Sequence, residues 1–183
     1  KPLLVLTDFD GTLSLTDVGY EVLLKFSGKG WDDIDRDYCE GRIGSLEAYG
    51  RICAILDGNR EDMLRFVAEN TVVDPHFEEF YAFCRERGVD VKVVSDGLDF
   101  YIDFVLRRHG LAEIPFYSNV MTFESGKPRA IEFPYANEAC SRCGTCKSGI
   151  LESCRADYGT ILYVGDGYSD LCPAGKADLV FAK

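Results

Sequence analysis

Two aspartates follow a short apolar run near the start of the sequence. Residues 3–6 are all apolar, and after Thr7 the chain continues as Asp8-Phe9-Asp10-Gly11. Such a run is typical of a strand buried on both faces of a parallel sheet. Because side chains alternate along a strand, Asp8 and Asp10 point the same way, at the strand end where open α/β sheets bind ligands. The alternative is that Asp10-Gly11 forms only a turn.

Two later segments repeat this pattern of an apolar run that ends in polar residues. The run at residues 93–94 ends in Ser95, and the run at residues 161–164 leads into Asp166. The carboxyl ends of parallel strands meet at one edge of a sheet. The three segments therefore indicate a single cleft shared by their polar side chains.

The remaining periodicity predicts the elements that would position these residues. Residues 16–72 carry helical patterns with no strand pattern among them. Strands and helices alternate elsewhere, which predicts an α/β fold with a doubly wound parallel sheet. Further helices are predicted at residues 74–88, 98–109 and 147–158, strands at 89–94, 160–164 and 178–181, and a hairpin at 116–133.

Composition limits the kind of partner this chain can have. The 183 residues carry a net charge of −11, which argues against nucleic acid and anionic membranes as partners. No apolar run approaches the ~20 residues of a membrane span, and the first apolar run is assigned to a strand instead of a signal peptide. Eight cysteines in a fold of this type are expected to stay reduced, which predicts a cytoplasmic protein.

Four carboxylates in one cleft would repel each other and any anionic substrate. These are Asp8, Asp10, Asp166 and Asp170. A divalent cation resolves both problems, and Mg²⁺ prefers oxygen ligands of this kind. The alternative for Asp166 is again a turn with the glycine that follows it.

The order of these segments resembles that of a known superfamily. The chain is similar to the haloacid dehalogenase superfamily of phosphatases, whose four motifs it matches in order at residues 8–12, Ser95, a lysine, and residues 165–170. The helical block resembles the small cap of the phosphoserine-phosphatase-like branch. This resemblance implies a hydrolase core at residues 1–15 and 73–183 and a helical cap at residues 16–72.

The resemblance also implies a role for each acidic residue. Asp8 would be the nucleophile that forms an aspartyl-phosphate. Asp10 would protonate the leaving oxygen and then activate water, and Thr12 would orient Asp10. The side chains of Asp8 and Asp166 and the carbonyl of Asp10 would bind Mg²⁺, with Asp170 as a further ligand or as a support for the ligands.

A hydroxyl and a cation are expected to hold the phosphate. By resemblance Ser95 holds a phosphate oxygen, helped by backbone N–H groups near Gly97; alternatively Ser95 is a plain helix N-cap. Two lysines compete for the cationic role. Lys127 lies at the predicted hairpin tip, whereas Lys147 begins a helix directly before the third core strand, the position of the family's lysine. We therefore predict Lys147.

Three further side chains are candidates for contact with the leaving group. Asp17 occupies the position where phosphoserine phosphatases carry a glutamate that meets the substrate amine, and Asp96 follows Ser95. Arg42 could bind a substrate carboxylate. The alternatives are a helix N-cap for Asp17 and a surface charge for Arg42.

A cysteine-rich segment precedes Lys147. Cys140, Cys143 and Cys146 form two overlapping Cys-x-x-Cys steps. They could bind structural Zn²⁺, hold part of an iron–sulfur cluster, or form a disulfide; alternatively the segment is a loop that places Lys147. The segment resembles that of the phosphatases acting on 2-hydroxy-3-keto-5-methylthiopentenyl 1-phosphate in methionine salvage, and that of phosphoethanolamine/phosphocholine phosphatases.

Together these features predict a Mg²⁺-dependent phosphatase that acts through an aspartyl-phosphate. Its substrate would be a small phosphorylated metabolite of the methionine-salvage or phosphoserine type, with phosphoethanolamine or phosphocholine as the alternative. A prediction of another class is a metal-binding or redox-sensing protein built on a phosphatase fold. The protein is expected to be a monomer or a homodimer.

Overall fold

A six-stranded sheet forms the centre of the molecule. The computed structural model describes residues 2–183. The strand order across the sheet is β4-β3-β2-β1-β5-β6, and every neighbouring pair is parallel except the β3–β4 hairpin. The strands are β1 (Leu3–Thr7), β2 (Asp90–Leu98), β3 (Phe116–Glu124), β4 (Lys127–Glu132), β5 (Thr160–Gly165) and β6 (Leu179–Ala182).

Helices connect the strands, and four of them follow β1 without interruption. This arrangement confirms the α/β fold with a helical insert after the first strand. The boundary residues of the insert stay a prediction; an isolated bridge pairs Ser14 with Val73 near both of them. The helices are α1 (Val18–Phe26), α2 (Trp31–Cys39), α3 (Ser45–Cys53), α4 (Arg60–Asn70), α5 (Phe77–Glu86), α6 (Asp99–Arg108), α7 (Lys147–Cys154) and α8 (Leu171–Ala174).

The inserted helices have a small apolar core of their own. This core includes Trp31, Ile34 and Ile52, and each is at least nine-tenths buried. Burial of each such side chain stabilises the folded protein by about 1.5–3 kcal/mol relative to an exposed position. The insert can therefore hold its shape above the sheet, where it forms one wall of the cavity described below.

One strand is longer than its sequence pattern indicates. The apolar run ends at Val94, yet β2 continues to Leu98 with a register shift between these two residues. This irregular stretch contains Ser95, Asp96 and Gly97, so these residues leave the regular ladder at the carboxyl end of the strand.

The helices at residues 2–183 are all too short or too polar to cross a membrane.

Candidate active site

The carboxyl ends of β1, β2 and β5 meet at one edge of the sheet. β1 lies between the other two, so Asp8 follows the central strand, with Ser95 on one side and Asp166 on the other. A cavity of about 310 Å³ opens between this edge and helices α1 to α3. The structure thus brings all three predicted motif positions into one cleft.

Asp8 is buried and bound on both carboxylate oxygens. Its Oδ1 accepts a hydrogen bond of 2.7 Å from the backbone N–H of Phe9, and its Oδ2 lies 2.7 Å from Nζ of Lys147. Burial raises the pKa of Asp8 to about 7, because it outweighs the opposing effect of Lys147. A charge placed this deep requires compensating cations.

Lys147 supplies one such cation from the first position of α7. Its Nζ lies 2.7 Å from Oδ1 of Asp170 and donates a 3.0 Å hydrogen bond to the hydroxyl of Ser169. Burial lowers the pKa of Lys147, but Asp8 and Asp170 outweigh burial and leave this pKa raised. Lys127 is exposed and pairs with Asp57. The structure therefore places Lys147, and not Lys127, among the carboxylates.

Asp170 is held rigidly beneath the cleft. It accepts hydrogen bonds from the hydroxyl of Tyr163 at 2.6 Å and from the backbone N–H of Gly167 at 3.0 Å. A Cβ at Gly165 would lie 2.5 Å from the Asp170 carboxyl carbon, so only glycine lets the chain approach so closely. Burial raises the pKa of Asp170. The charge and hydrogen bond of Lys147, with the hydrogen bonds from Tyr163 and Gly167, outweigh burial and leave this pKa lowered.

Three carboxylates converge closely enough to share a cation. Oxygens of Asp8, Asp166 and Asp170 all lie within 4.8 Å of one another, and no other group of three metal-binding side chains does so among residues 2–183. Hard oxygen donors and a high density of negative charge fit Mg²⁺ better than a soft metal. The donor set therefore fits the predicted magnesium site.

Thr12 contacts a different aspartate from the one predicted. Its hydroxyl donates a 2.5 Å hydrogen bond to Oδ1 of Asp166, and the structure shows no bond from Thr12 to Asp10. Gly11 has φ of +73°, and a Cβ there would lie 2.2 Å from Oδ2 of Asp166. The turn after β1 therefore packs directly against the end of β5, which corrects the predicted role of Thr12.

Asp10 is oriented by two residues, Gly19 and Tyr101, that were not predicted to belong to the site. Its Oδ1 accepts a 3.2 Å hydrogen bond from the N–H of Gly19, and its Oδ2 accepts a 3.0 Å bond from the hydroxyl of Tyr101. Burial first, and then Asp17 and Asp8, raise the pKa of Asp10 well above its usual range. Tyr101 lies in the helix predicted at residues 98–109, and no role in the site was predicted for it. The sequence did contain a signal for this contact, because the hydroxyl of a buried tyrosine requires a hydrogen-bond partner.

Ser95 lies at the base of the cleft with Gly97 beside it. The Ser95 hydroxyl is buried and accepts a 2.9 Å hydrogen bond from the N–H of Gly97. The N–H of Gly97 thus contacts Ser95, and phosphate binding by the N–H groups near Gly97 stays a prediction. Helix α6 begins only at Asp99, so Ser95 is not its N-cap.

Asp17 and Asp96 line the cavity, but both carboxylates are bound by protein groups. Asp17 is the N-cap of α1 and accepts a 2.7 Å hydrogen bond from the N–H of Tyr20. Asp96 accepts hydrogen bonds from Ser45, from the side-chain amide of Asn119 and from the backbone N–H of Thr145. Burial raises the pKa of Asp96. Asp96 thus links helix α3, strand β3 and the segment before Lys147 through hydrogen bonds.

Arg42 lies outside the cavity. It is half-exposed and pairs with Asp37 at 2.7 Å and with Glu40. The structure therefore supports the surface-charge alternative, and not contact between Arg42 and a substrate carboxylate.

The cysteine-rich segment forms neither a disulfide nor a ligand cluster. All eight cysteines are free, Cys140 is exposed, and Cys146 caps α7 through a bond from the N–H of Gly149 to its sulfur. Burial, followed by the charge of Asp96, raises the pKa of Cys143 to about 12. Nothing in this geometry supports Zn²⁺, and the segment leads directly into Lys147.

Solved phosphoserine phosphatases share the fold of this chain. A structure titled as a phospho-aspartyl intermediate analogue of phosphoserine phosphatase superposes with a TM-score of 0.78 at 24% identity, over 100% of this chain and 86% of that one. A substrate-bound phosphoserine phosphatase complex gives 0.75 at 23%, over 100% and 86%. At these identities the likeness establishes the fold, which this chain shares with both phosphoserine phosphatases.

Sequence comparison places the chain more narrowly. The family model described as Putative Phosphatase matches residues 3–182. The 2-hydroxy-3-keto-5-methylthiopentenyl-1-phosphate phosphatase of Brevibacillus brevis is 32% identical over 100% of this chain and 83% of its own length. The enzyme of the same name from Geobacillus kaustophilus is 31% identical, over 100% and 84%. The chain belongs to the Putative Phosphatase family, and it is a phosphoric monoester hydrolase.

Proposed function

We propose that this phosphatase hydrolyses a small phosphomonoester through an aspartyl-phosphate on Asp8. The observation that carries the proposal is the Asp8 carboxylate, held 2.7 Å from Lys147 in the same cavity as Asp10 and Ser95. A carboxylate nucleophile needs a cation to hold the phosphoryl group against it, and a nearby acid to protonate the leaving oxygen. This cleft contains all three.

Each side chain has a defined part in the two half-reactions. Asp8 attacks phosphorus while Lys147 and the Ser95 hydroxyl hold phosphoryl oxygens, and Asp10 gives its proton to the departing oxygen. Water then attacks phosphorus, the bond from phosphorus to Asp8 breaks, and one proton of the water passes to Asp10. Inorganic phosphate leaves and both aspartates are restored. Asp8, Asp166 and Asp170, with the carbonyl of Asp10, would hold Mg²⁺, which would supply positive charge against the transferring phosphoryl group.

The cap side of the cavity supports a substrate with an uncharged, largely apolar leaving group. Apolar and aromatic side chains dominate this wall, including Leu23, Trp31, Ile34 and Ile52. Among the lining residues in the described part of the chain, Lys147 is the only lysine or arginine. The carboxylate of phosphoserine would find no cation there.

A methylthiopentenyl chain fits this wall. We therefore propose 2-hydroxy-3-keto-5-methylthiopentenyl 1-phosphate, the compound for which the two bacterial relatives are named, as the substrate.

A second candidate is favoured by the aromatic rings on the same wall. Tyr20 and Trp31 lie 5.8 Å apart by ring centroids, and Tyr38 and Tyr49 line the cavity with them. Aromatic faces bind quaternary ammonium groups. Phosphocholine, or phosphoethanolamine, would place its cation against these rings and near the carboxylate of Asp35.

Three less specific features complete the proposal. The net charge of −11 supports a small metabolite over nucleic acid as the partner. Eight free thiols support a cytoplasmic location. The protein would work as a monomer or a homodimer, which sedimentation velocity would distinguish.

The deciding experiment is a panel of phosphomonoesters assayed with Mg²⁺ and with chelator. It contains the methylthiopentenyl phosphate, phosphocholine, phosphoethanolamine and phosphoserine. We expect Mg²⁺-dependent turnover of the first compound well above the others, at least about 10³-fold loss in Asp8→Asn, and unchanged turnover in Asp57→Asn, which alters an exposed carboxylate.

The other outcomes each reject part of the proposal. Preference for phosphocholine would select the second candidate. Full activity of Asp8→Asn would reject the aspartyl-phosphate. If the folded protein turned over none of the compounds and carried stoichiometric zinc or iron, the metal-binding alternative would replace the enzymatic one.

A further inference from the structure

Tyr101 brings a hydroxyl to the proposed acid–base residue from within the hydrophobic core. It lies on α6 and is fully buried, with its ring against Phe9 and Phe100. Its hydroxyl donates a 3.0 Å hydrogen bond to Oδ2 of Asp10. A buried tyrosine hydroxyl is retained where it has a polar partner, and here the partner is the carboxyl group that must transfer the proton.

Two glycines leave room for this hydroxyl. A Cβ at Gly97 would lie 1.9 Å from the Tyr101 oxygen, and a Cβ at Gly19 would lie 2.7 Å from it. Both distances are too short for any side chain. Gly19 also donates its N–H to Oδ1 of Asp10. The backbone on both sides is therefore shaped around the contact between Tyr101 and Asp10.

We propose that Tyr101 is a positioning residue that fixes the Asp10 carboxyl group for proton transfer. With Gly19 bound to Oδ1 and Tyr101 bound to Oδ2, the carboxyl plane cannot rotate. Each oxygen still has a second acceptor site. A tyrosine hydroxyl both donates and accepts, so it can remain bound to Asp10 in the carboxylate and in the carboxylic acid form.

The consequence for the reaction depends on the leaving group, and this part rests on the proposed function. In the first half-reaction the bond from phosphorus to the leaving oxygen breaks, a bond from phosphorus to Asp8 forms, and the proton of Asp10 passes to the leaving oxygen. An alkoxide needs that proton, whereas p-nitrophenolate leaves without it. A misplaced Asp10 therefore slows alkyl phosphates selectively.

The test compares two substrates in Tyr101→Phe. We expect kcat/KM, which reports steps up to aspartyl-phosphate formation, to fall roughly 10- to 100-fold for n-pentyl phosphate and less than about 3-fold for p-nitrophenyl phosphate. The ratio of the two values does not depend on the folded fraction of the preparation. Tyr81→Phe removes a hydroxyl from a ring packed against the same core cluster and should leave both values unchanged.

A double-variant cycle with Asp10→Asn provides the second measurement. If Tyr101 acts through Asp10, adding Tyr101→Phe to Asp10→Asn costs no further activity on n-pentyl phosphate. Equal loss on both substrates, or additive loss in the cycle, would overturn the proposal. If the wild-type protein hydrolysed neither these two compounds nor any compound of the panel above, the proposed function itself would fail, and the positioning role with it.

Discussion

The hydroxyl of Ser45, the first residue of α3, donates a hydrogen bond to the buried carboxylate of Asp96 at the end of β2. The same hydroxyl accepts a 3.0 Å bond from the N–H of Gly144, and Asp96 accepts a 2.8 Å bond from the N–H of Thr145. The cap, the central sheet and the segment before Lys147 therefore meet at one carboxylate. The position of the cap and the position of Lys147 are therefore linked through Asp96.

Ser45→Ala should lower the free energy of unfolding by about 1–3 kcal/mol. The substitution leaves Asp96 without one donor and Gly144 without its acceptor in a buried place. Denaturant unfolding measures the change. Ser148→Ala is the matched control, because the Ser148 hydroxyl is buried and has no hydrogen-bond partner within residues 2–183. The control should be neutral or slightly stabilising; equal losses in both variants would contradict the assignment.

Lys147→Met should abolish turnover and destabilise the protein by about 3–5 kcal/mol, because it leaves two buried carboxylates, Asp8 and Asp170, without their shared cation. Lys127→Met makes the same chemical change at an exposed pair with Asp57 and should cost under about 1 kcal/mol. Thermal unfolding and activity on the preferred substrate test both. Activity that survives in Lys147→Met but not in Lys127→Met would reverse our choice of lysine.

Gly11→Ala should reduce activity strongly. Gly11 has φ of +73°, and its new Cβ would lie 2.2 Å from Oδ2 of Asp166, so the carboxylate must move. Gly41 has a nearly identical φ of +72°, but no atom lies within 4 Å of a Cβ there. Gly41→Ala therefore measures the backbone strain alone, about 1–2 kcal/mol. Similar activities in the two variants would show that the contact with Asp166 is unimportant.

Cys143 should resist alkylation that modifies the exposed Cys140 nearby. The thiolate is the reactive form, and a pKa raised to about 12 by burial keeps Cys143 protonated between pH 7 and 9. Iodoacetamide labelling at pH 8, followed by peptide mass spectrometry, should modify Cys143 at least about 10-fold more slowly than Cys140. Denatured protein, in which both label alike, is the control. Joint protection of Cys140, Cys143 and Cys146 would instead indicate a bound metal.

The sequence was sufficient for features that depend on neighbouring residues. Apolar runs that end in Asp8 and Asp166 predict both the strands and the edge at which they meet, because parallel strands share their direction. The alternation of helices and strands predicts the doubly wound sheet for the same reason. The position of Lys147 followed from the family's motif order, and the structure places this lysine at Asp8.

The contacts that the sequence missed join distant segments. Tyr101 binds Asp10 across 91 positions, and Ser45 binds Asp96 across 51. Helical periodicity places Tyr101 in the core, but it does not indicate which polar atom its hydroxyl meets. Arg42 shows the opposite error: its place in the predicted cap suggested a substrate contact, whereas the nearby carboxylates of Asp37 and Glu40 bind it at the surface.

The bond between Thr12 and Asp166 spans 154 positions, so the cleft closes only after most of the chain is available. A ribosome that adds about 5–20 residues per second needs roughly 8–30 seconds to cover that distance. Until then, the edge of β1 that pairs with β5 stays unpaired. Asp8 and Asp10 also stay without the neighbouring carboxylate of Asp166. Long-range parallel pairing is also slow to form. Recovery of activity during refolding would therefore report the pairing of β5 with β1, which makes the enzyme its own indicator of this late folding step.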